Sequence, residues 1–453
     1  MTNSIVAIAQ NPVHRDIGAD SAGDSYDPGS GNGGYDVLFY DLTIDYRINT
    51  NRIAAVAVIS LRSTQRLARF SLDLVGLTAT NVQIDGSRAS RYHQTPTKLI
   101  ITPARPVLPG AEFTVTIRYG GAPSPRRSAW GDVGWEELSD GVLVAGQPSG
   151  APTWFPCNDH PSSKAAYRIT VTLGSSYRLI ANGRLVSTTN RASRTQWVYE
   201  SLEPMATYLA TVQIGMYRTR ATSAESIPQF AYIPTDLSSE FDADFADQSR
   251  MVETFEKLFG QYPFGQYSVV VTDDELEIPL EAQGLSIFGR NHVDGEGGSL
   301  RLIAHELAHS WFGNSLTNAS WQHIWLHEGF ACYAEWLWSE ASKGPKTQRL
   351  AEQHWTRLNA LDQDFAIGDP GPELMFDDRL YKRGALTLHA LRLTVGDSVF
   401  FRMLRSWTTE NRHGSVTTEQ FITHAEASTG VDVRPLLEAW LFEHALPRLP
   451  KKH

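Results

Sequence analysis

In the stretch HELAHSWFGNSLTNASWQHIWLHEGFA, His305 to Ala331, residue types that bind metals and move protons recur at the spacings a metal site needs. His305 and His309 are four apart, so on a helix their imidazoles project from one face about one turn apart, as two ligands of a single ion require. Glu306, beside them in the pattern H-E-x-x-H, can reach a metal-bound water without becoming a ligand, which is where a general base belongs. Eighteen residues separate His309 from Glu328, enough for a short turn and an antiparallel return. Two neutral imidazoles and one carboxylate leave a position open, the pattern of a catalytic rather than a structural site, with one Zn2+ per chain. A lone histidine on an apolar helix is ordinarily a core residue; the combination with Glu306 and Glu328 is what points to a metal. His327 and Cys332 flank Glu328 and could compete as ligands, although no motif calls for either. Glu335, two turns beyond Glu328 on the same face, could accept the free N–H of a ligating imidazole or could be a solvated helix carboxylate.

Two helices must position these groups. The first, SLRLIAHELAHSWFG, has Ser299 to cap its start and Gly313 to close its end; the second is apolar-periodic through WQHIWLHEGFACYAEW. Upstream, residues 1–34 end in GDSYDPGSGNGG and read as a mobile arm, because glycines and short polar residues offer little to bury. From 35 to about 225 short runs alternate, as in Leu42, Ile44, Tyr46, Ile48 or Phe113, Val115, Ile117, Tyr119, which predicts an antiparallel β domain. A boundary follows SAESIPQF. Residues 226–453 then begin with a helix carrying Phe245, Met251, Phe255, Leu258 and Phe259 and ending around Gly260, continue through the strand YSVVVTD, and are chiefly helical after it. The fold class expected is multi-domain α+β.

The 453 residues, 42% hydrophobic, suffice for two or three domains, and a formal net charge of -10 argues against a nucleic-acid or anionic-membrane partner. Two cysteines make no disulfide framework. No signal-peptide core or membrane span is evident, so a cytoplasmic location is expected, although a processed exported form would read the same.

Taken together, these motifs resemble the aminopeptidase N family of gluzincin metallopeptidases, which also contains the leukotriene epoxide hydrolase; the resemblance runs from about Gly23 to Pro447 and is strongest to the short actinobacterial-type members. It implies an N-terminal β saddle or sandwich, a thermolysin-like zinc domain and a short helical C-terminal segment in place of a large helical domain, hence a more open cleft. It implies that His305, His309 and Glu328 bind zinc, that Glu306 activates water, and that Tyr381, in YKRGA, stabilises the oxyanion. The family's G-x-M-E-N motif is altered here to IPLEA, with Ile278 for the glycine and Ala282 for the asparagine, but Glu281 stays to pair with a substrate α-ammonium. Gln147, upstream of the FPCNDHP segment, falls where members place a Gln or Glu against that amine, and Asp159, His160 and Lys164 there read as structural. His327 replaces the usual Asn or Thr. The implied activity is aminopeptidase action on peptides with a free N-terminus. An endopeptidase or epoxide hydrolase on the same zinc site, or an inactive binding module, are the alternatives.

Overall fold

The computed structural model describes residues 16–89, 91–223 and 227–451. Alternation in the first half produces an eight-stranded sheet whose strands run, in spatial order, 184–191, 194–206, 164–174, 35–47, 52–63, 112–121, 78–84 and 87–88. Every neighbouring pair is antiparallel except Tyr35–Arg47 with Lys164–Gly174, which run parallel, a pairing that alternation cannot reveal. Leu42, Ile44, Val115, Ile117, Ile169 and Val171 are all buried on one face. A five-stranded sheet (178–181, 212–215, 141–145, 131–138, 126–128) covers them, and Tyr46 meets Trp135 edge-on at 5.0 Å across the interior.

The second half is built on a mixed five-stranded sheet in the order 218–223, 228–233, 267–271, 285–288, 280–282. The strand 218–223, which precedes the boundary expected at 225/226, pairs antiparallel with 228–233 in this sheet. The described residues of this half form α1 (Ser238–Asp244), α2 (Gln248–Phe259), α3 (Leu300–Ala308), α4 (Trp325–Ala341), α5 (Thr347–Leu358), α6 (Asp378–Val395), α7 (Asp397–Glu410), α8 (Thr418–Thr429) and α9 (Arg434–Phe442). Phe245 lies at the end of α1 rather than within α2, and Gly260 ends α2 with a φ of 100°. None of the described helices is long and apolar enough to cross a membrane.

Residues 16–34, expected in a mobile arm, form instead a packed strap; residues 1–15 lie outside the described residues. Asp24 accepts from the Trp321 backbone N–H at 2.8 Å, the Tyr26 hydroxyl accepts from Gly371 N–H at 2.7 Å and donates to Asp369, and the Asn32 amide nitrogen donates to Asp73 at 2.8 Å. The short polar side chains that suggested disorder act as cross-links here. Gly31, at φ 72°, is required by space as well, because a Cβ on it would lie 2.5 Å from that of Ala22.

Candidate active site

α3 carries an apolar side, Ile303, Ala304, Leu307 and Ala308, that buries the helix and with it His305 and Glu306. Its ends differ from expectation. The Ser299 side chain makes no capping bond, and the helix stops at Ala308, with His309 at the C-cap and Gly313 closing the turn beyond it. His309 keeps helical dihedrals (φ -57°, ψ -23°), so the stagger between the two imidazoles survives, with ring centres 4.8 Å apart. Phe330 of α4 stacks on Phe312 at 4.3 Å, which fixes how the two segments face each other and where Glu328 arrives.

Glu328 Oε2 lies 3.4 Å from His305 Nε2 and 3.6 Å from His309 Nε2. Two ligands about 2.05 Å from a common tetrahedral ion stand ~3.3 Å apart, so the trio is spaced for zinc. The far nitrogens are spoken for: His305 Nδ1 donates to Glu335 Oε1 at 2.8 Å, and His309 Nδ1 donates to the Phe312 carbonyl at 2.9 Å. Each bond engages Nδ1 and leaves Nε2 as the ring nitrogen that faces the gap. Arg301 donates to both Glu335 oxygens at 3.1 Å and so holds that carboxylate in turn. Burial keeps His309 neutral, lowering its pKa to about 4. At His305 burial works the same way, but Glu328 and Glu335 override it and lift the pKa to about 10, so a metal ion must displace a proton there.

Glu306 is buried and its Oε2 has no hydrogen-bond partner among the described residues. Burial raises its pKa to about 7, with the charge of Glu328 adding and His305 opposing. A carboxylate poised there can both take and give a proton near neutrality. Glu281 sits on the short edge strand Leu280–Ala282, and one oxygen of its carboxylate, one of Glu306 and one nitrogen of His309 lie within 4.8 Å of one another. Gln147 Nε2 donates to Glu281 Oε1 at 2.7 Å, which leaves the Gln147 carbonyl oxygen to accept from a ligand. Burial, then the charges of Glu328 and Glu306, push the Glu281 pKa well up. Three converging carboxylates make this pocket favourable only for cations. The Tyr381 ring lies nearly parallel to His305 at 6.1 Å, and burial keeps its phenol protonated and able to donate.

Residues 244–440 match the Peptidase family M1 domain and residues 37–209 the Peptidase M1 N-terminal domain. An M1 zinc metallopeptidase from Deinococcus radiodurans, solved by crystallography, superposes with a TM-score of 0.88 at 30% identity, covering 96% of this chain and 100% of that one. The chain belongs to the M1 family of zinc metallopeptidases. Among curated M1 relatives, aminopeptidase M1-A of Oryza sativa subsp. japonica is 24% identical over 77% of this chain and 42% of its own length, and leukotriene A-4 hydrolase of Xenopus laevis is 24% identical over 92% and 73%. This chain thus spans about two-fifths of the length of the plant aminopeptidase.

Against the M1 pattern, the residues that sequence reasoning held in reserve resolve simply. His327 Nε2 accepts from the Asn318 N–H at 2.9 Å and is not grouped with the metal-facing atoms. Cys332, one helical turn beyond Glu328, is buried, accepts from Lys382 Nζ at 3.4 Å and is not grouped with the metal-facing atoms. Asp159 accepts from Thr207, His160 lies beside Asp24, and Lys164 donates to the carbonyls of Asn314, Ser315 and Gly414, and none of the three is grouped with the metal-facing atoms. Where the M1 exopeptidase motif is altered, Ile278 is exposed in the loop before the strand, and the Ala282 carbonyl accepts from Asn314 Nδ2 at 3.0 Å, which pins the strand without the usual asparagine. Sequence reasoning missed that bond and the Arg301 support of Glu335, neither of which has a motif to announce it.

Proposed function

We propose that this M1 peptidase is an aminopeptidase that removes the first residue from peptides with a free N-terminus. The observation that carries the reading is the Gln147–Glu281 pair, whose carboxylate lies within 4.8 Å of Glu306 and His309. An α-ammonium held by Glu281 and the Gln147 carbonyl allows one residue between the amine and the scissile carbonyl. His305, His309 and Glu328 are the residues that would hold zinc, which when bound supplies Lewis acidity toward the carbonyl and acidifies water. Glu306 takes a proton from the attacking water and delivers it to the departing nitrogen. The Tyr381 phenol donates to the carbonyl oxygen as that atom gains charge. Glu335 orients His305 and strengthens its donation.

A related structure supports the substrate class: a mutant of the Deinococcus radiodurans enzyme is described bound to a Tyr-Ser-Ala substrate. The carboxylate at Glu281 blocks the path a continuing chain would need, which argues against an endopeptidase. The test is hydrolysis of amino-acid aminomethylcoumarin amides beside their N-acetylated forms, with and without a zinc chelator. Chelator-sensitive cleavage of the free-amine set alone is expected; equal cleavage of blocked substrates would remove Glu281 from its role.

A further inference from the structure

The hairpin Arg126–Ser128 and Gly131–Leu138 touches the segments of two site residues, Gln147 and Tyr381. At its base, Trp135 N–H donates to Thr153 Oγ1 at 2.9 Å, and Gly134 packs so tightly against the Gly150–Thr153 segment that a Cβ there would lie 2.2 Å from Thr153 Oγ1. That segment begins just after Gln147, the partner of Glu281. The second hairpin strand also pairs with Gly141–Ala145, the strand that runs directly into Gln147. The hairpin base is therefore part of the same rigid unit as the amine anchor.

Its tip reaches the opposite side. Trp130 Nε1 donates to the Pro372 carbonyl at 2.8 Å, and its ring meets Phe376 edge-on at 6.2 Å. Phe376 precedes Asp377, the N-cap of α6, whose carboxylate accepts from Arg379 N–H. Phe376 and Tyr381 thus hold the N′ and N4 positions, the pair through which a hydrophobic staple fixes a helix entry. Trp130 thus touches the residue at the N′ position of the helix that carries Tyr381, and both Trp130 and Phe376 keep part of their surface open.

A substrate's first residue must lie between the Gln147–Glu281 anchor and Tyr381, and the hairpin runs from the segment after Gln147 to Phe376, five residues before Tyr381. We propose that Trp130 is a specificity-determining residue: its indole, with Phe376, walls the space for the first side chain and favours aromatic and long aliphatic residues over small ones. The proposal rests on the aminopeptidase reading above and deepens it. The indole N–H to Pro372 and the edge-on contact with Phe376 set the orientation of that wall.

The test uses the zinc-loaded full chain with Trp130→Ala and Trp130→Phe, assayed on the aminomethylcoumarin amides of phenylalanine, leucine and alanine. Loss of an aromatic wall should raise KM for the phenylalanine and leucine substrates about tenfold and leave alanine within about twofold, with kcat little changed. Trp130→Phe, which keeps the ring, should restore most of the discrimination. Equal change for all three substrates, or none, overturns the proposal. In parallel, phenylalanine hydroxamate and alanine hydroxamate are titrated by calorimetry into the same proteins. If the wild type cleaves no amide, the aminopeptidase reading falls, and the titration still decides the wall: a selective loss of phenylalanine hydroxamate affinity in Trp130→Ala sustains it, and unchanged relative affinity, or no binding of either hydroxamate by the wild type, overturns it.

Discussion

Gly329 of α4 and Gly384 of α6 touch backbone to backbone: a Cβ built on Gly384 would stand 2.6 Å from Gly329 Cα, and one on Gly329 would stand 2.8 Å from Gly384 Cα. Gly329 follows Glu328, and Gly384 lies three residues after Tyr381. The glycine in each of the two motifs, HEGFA and YKRGA, is therefore what lets the helix bearing Tyr381 come down onto the helix bearing Glu328. The substitution Gly384→Ala should force the helices apart at a cost of about 1–3 kcal/mol, less what alanine gains as a helix former. A shift of ~1 Å in Tyr381 lowers kcat on the order of 10²-fold. Denaturant unfolding and kcat measured on one preparation check both; a Gly384→Ala protein with kcat within about threefold of wild type would show that the close approach is not what places Tyr381.

Glu335 offers a separate handle on the metal. Glu335→Gln keeps the shape but removes the charge that His305 Nδ1 and Arg301 both meet. Zinc affinity, read by competition with a chromogenic chelator, should weaken by about 10- to 100-fold while the far-ultraviolet circular dichroism stays unchanged. An unaltered affinity would mean that the Phe312 carbonyl on His309 suffices to orient the site.

The amine anchor divides unequally between its two members. Glu281→Gln removes a charge-assisted bond and should cost about 10- to 150-fold in kcat/KM on free-amine substrates, and Gln147→Ala about tenfold. Neither substitution should change the zinc content or the Tm, and a loss of zinc or of several degrees in Tm alongside the fall in kcat/KM would assign these residues to scaffolding.

His327 predicts an acid sensitivity. Burial holds its folded-state pKa at about 3 against an ordinary 6.5, so the folded protein resists the proton that the unfolded chain accepts. The stabilisation is complete above pH 6.5 and is lost as pH falls from 6.5 toward 3, because the unfolded state binds more protons across that window. At pH 5 the loss is about 2 kcal/mol. His327→Asn should flatten the fall in Tm between about pH 7.5 and pH 5, with zinc content followed in both proteins; parallel Tm profiles would contradict the assignment.

The metal constellation was legible because chemistry fixes both residue type and spacing: a shared ion needs imidazoles one turn apart, and the return helix needs a turn of restricted length. The strands of the first half were legible for the same reason, since one buried face imposes a period of two. Less was legible wherever tertiary contacts decide. The parallel pairing of Tyr35–Arg47 with Lys164–Gly174 leaves no mark on either strand. The strap at 16–34 has the composition of a disordered tail, yet Asp24, Asn32 and Tyr26 find partners supplied by distant segments. Helix ends behaved likewise: Ser299 has a capping side chain that the fold does not use, and His309 sits past the last regular turn because the chain must bend toward Phe312.

The strap also sets an order of events. Asp24 and its partner at Trp321 are 297 residues apart in sequence, and Tyr26 and Asp369 are 343 apart. During synthesis these early side chains leave the ribosome long before the segments they will bind exist, so their closure must await the rest of the chain and carries the entropy of a very large loop. Until that moment the strap is an open strand available to proteases, and afterward it is a seal across the segments leading to Glu328 and Tyr381. Protection of residues 16–34 from limited proteolysis therefore marks the moment at which maturation is complete, a timestamp written at one end of the polypeptide for chemistry assembled near the other.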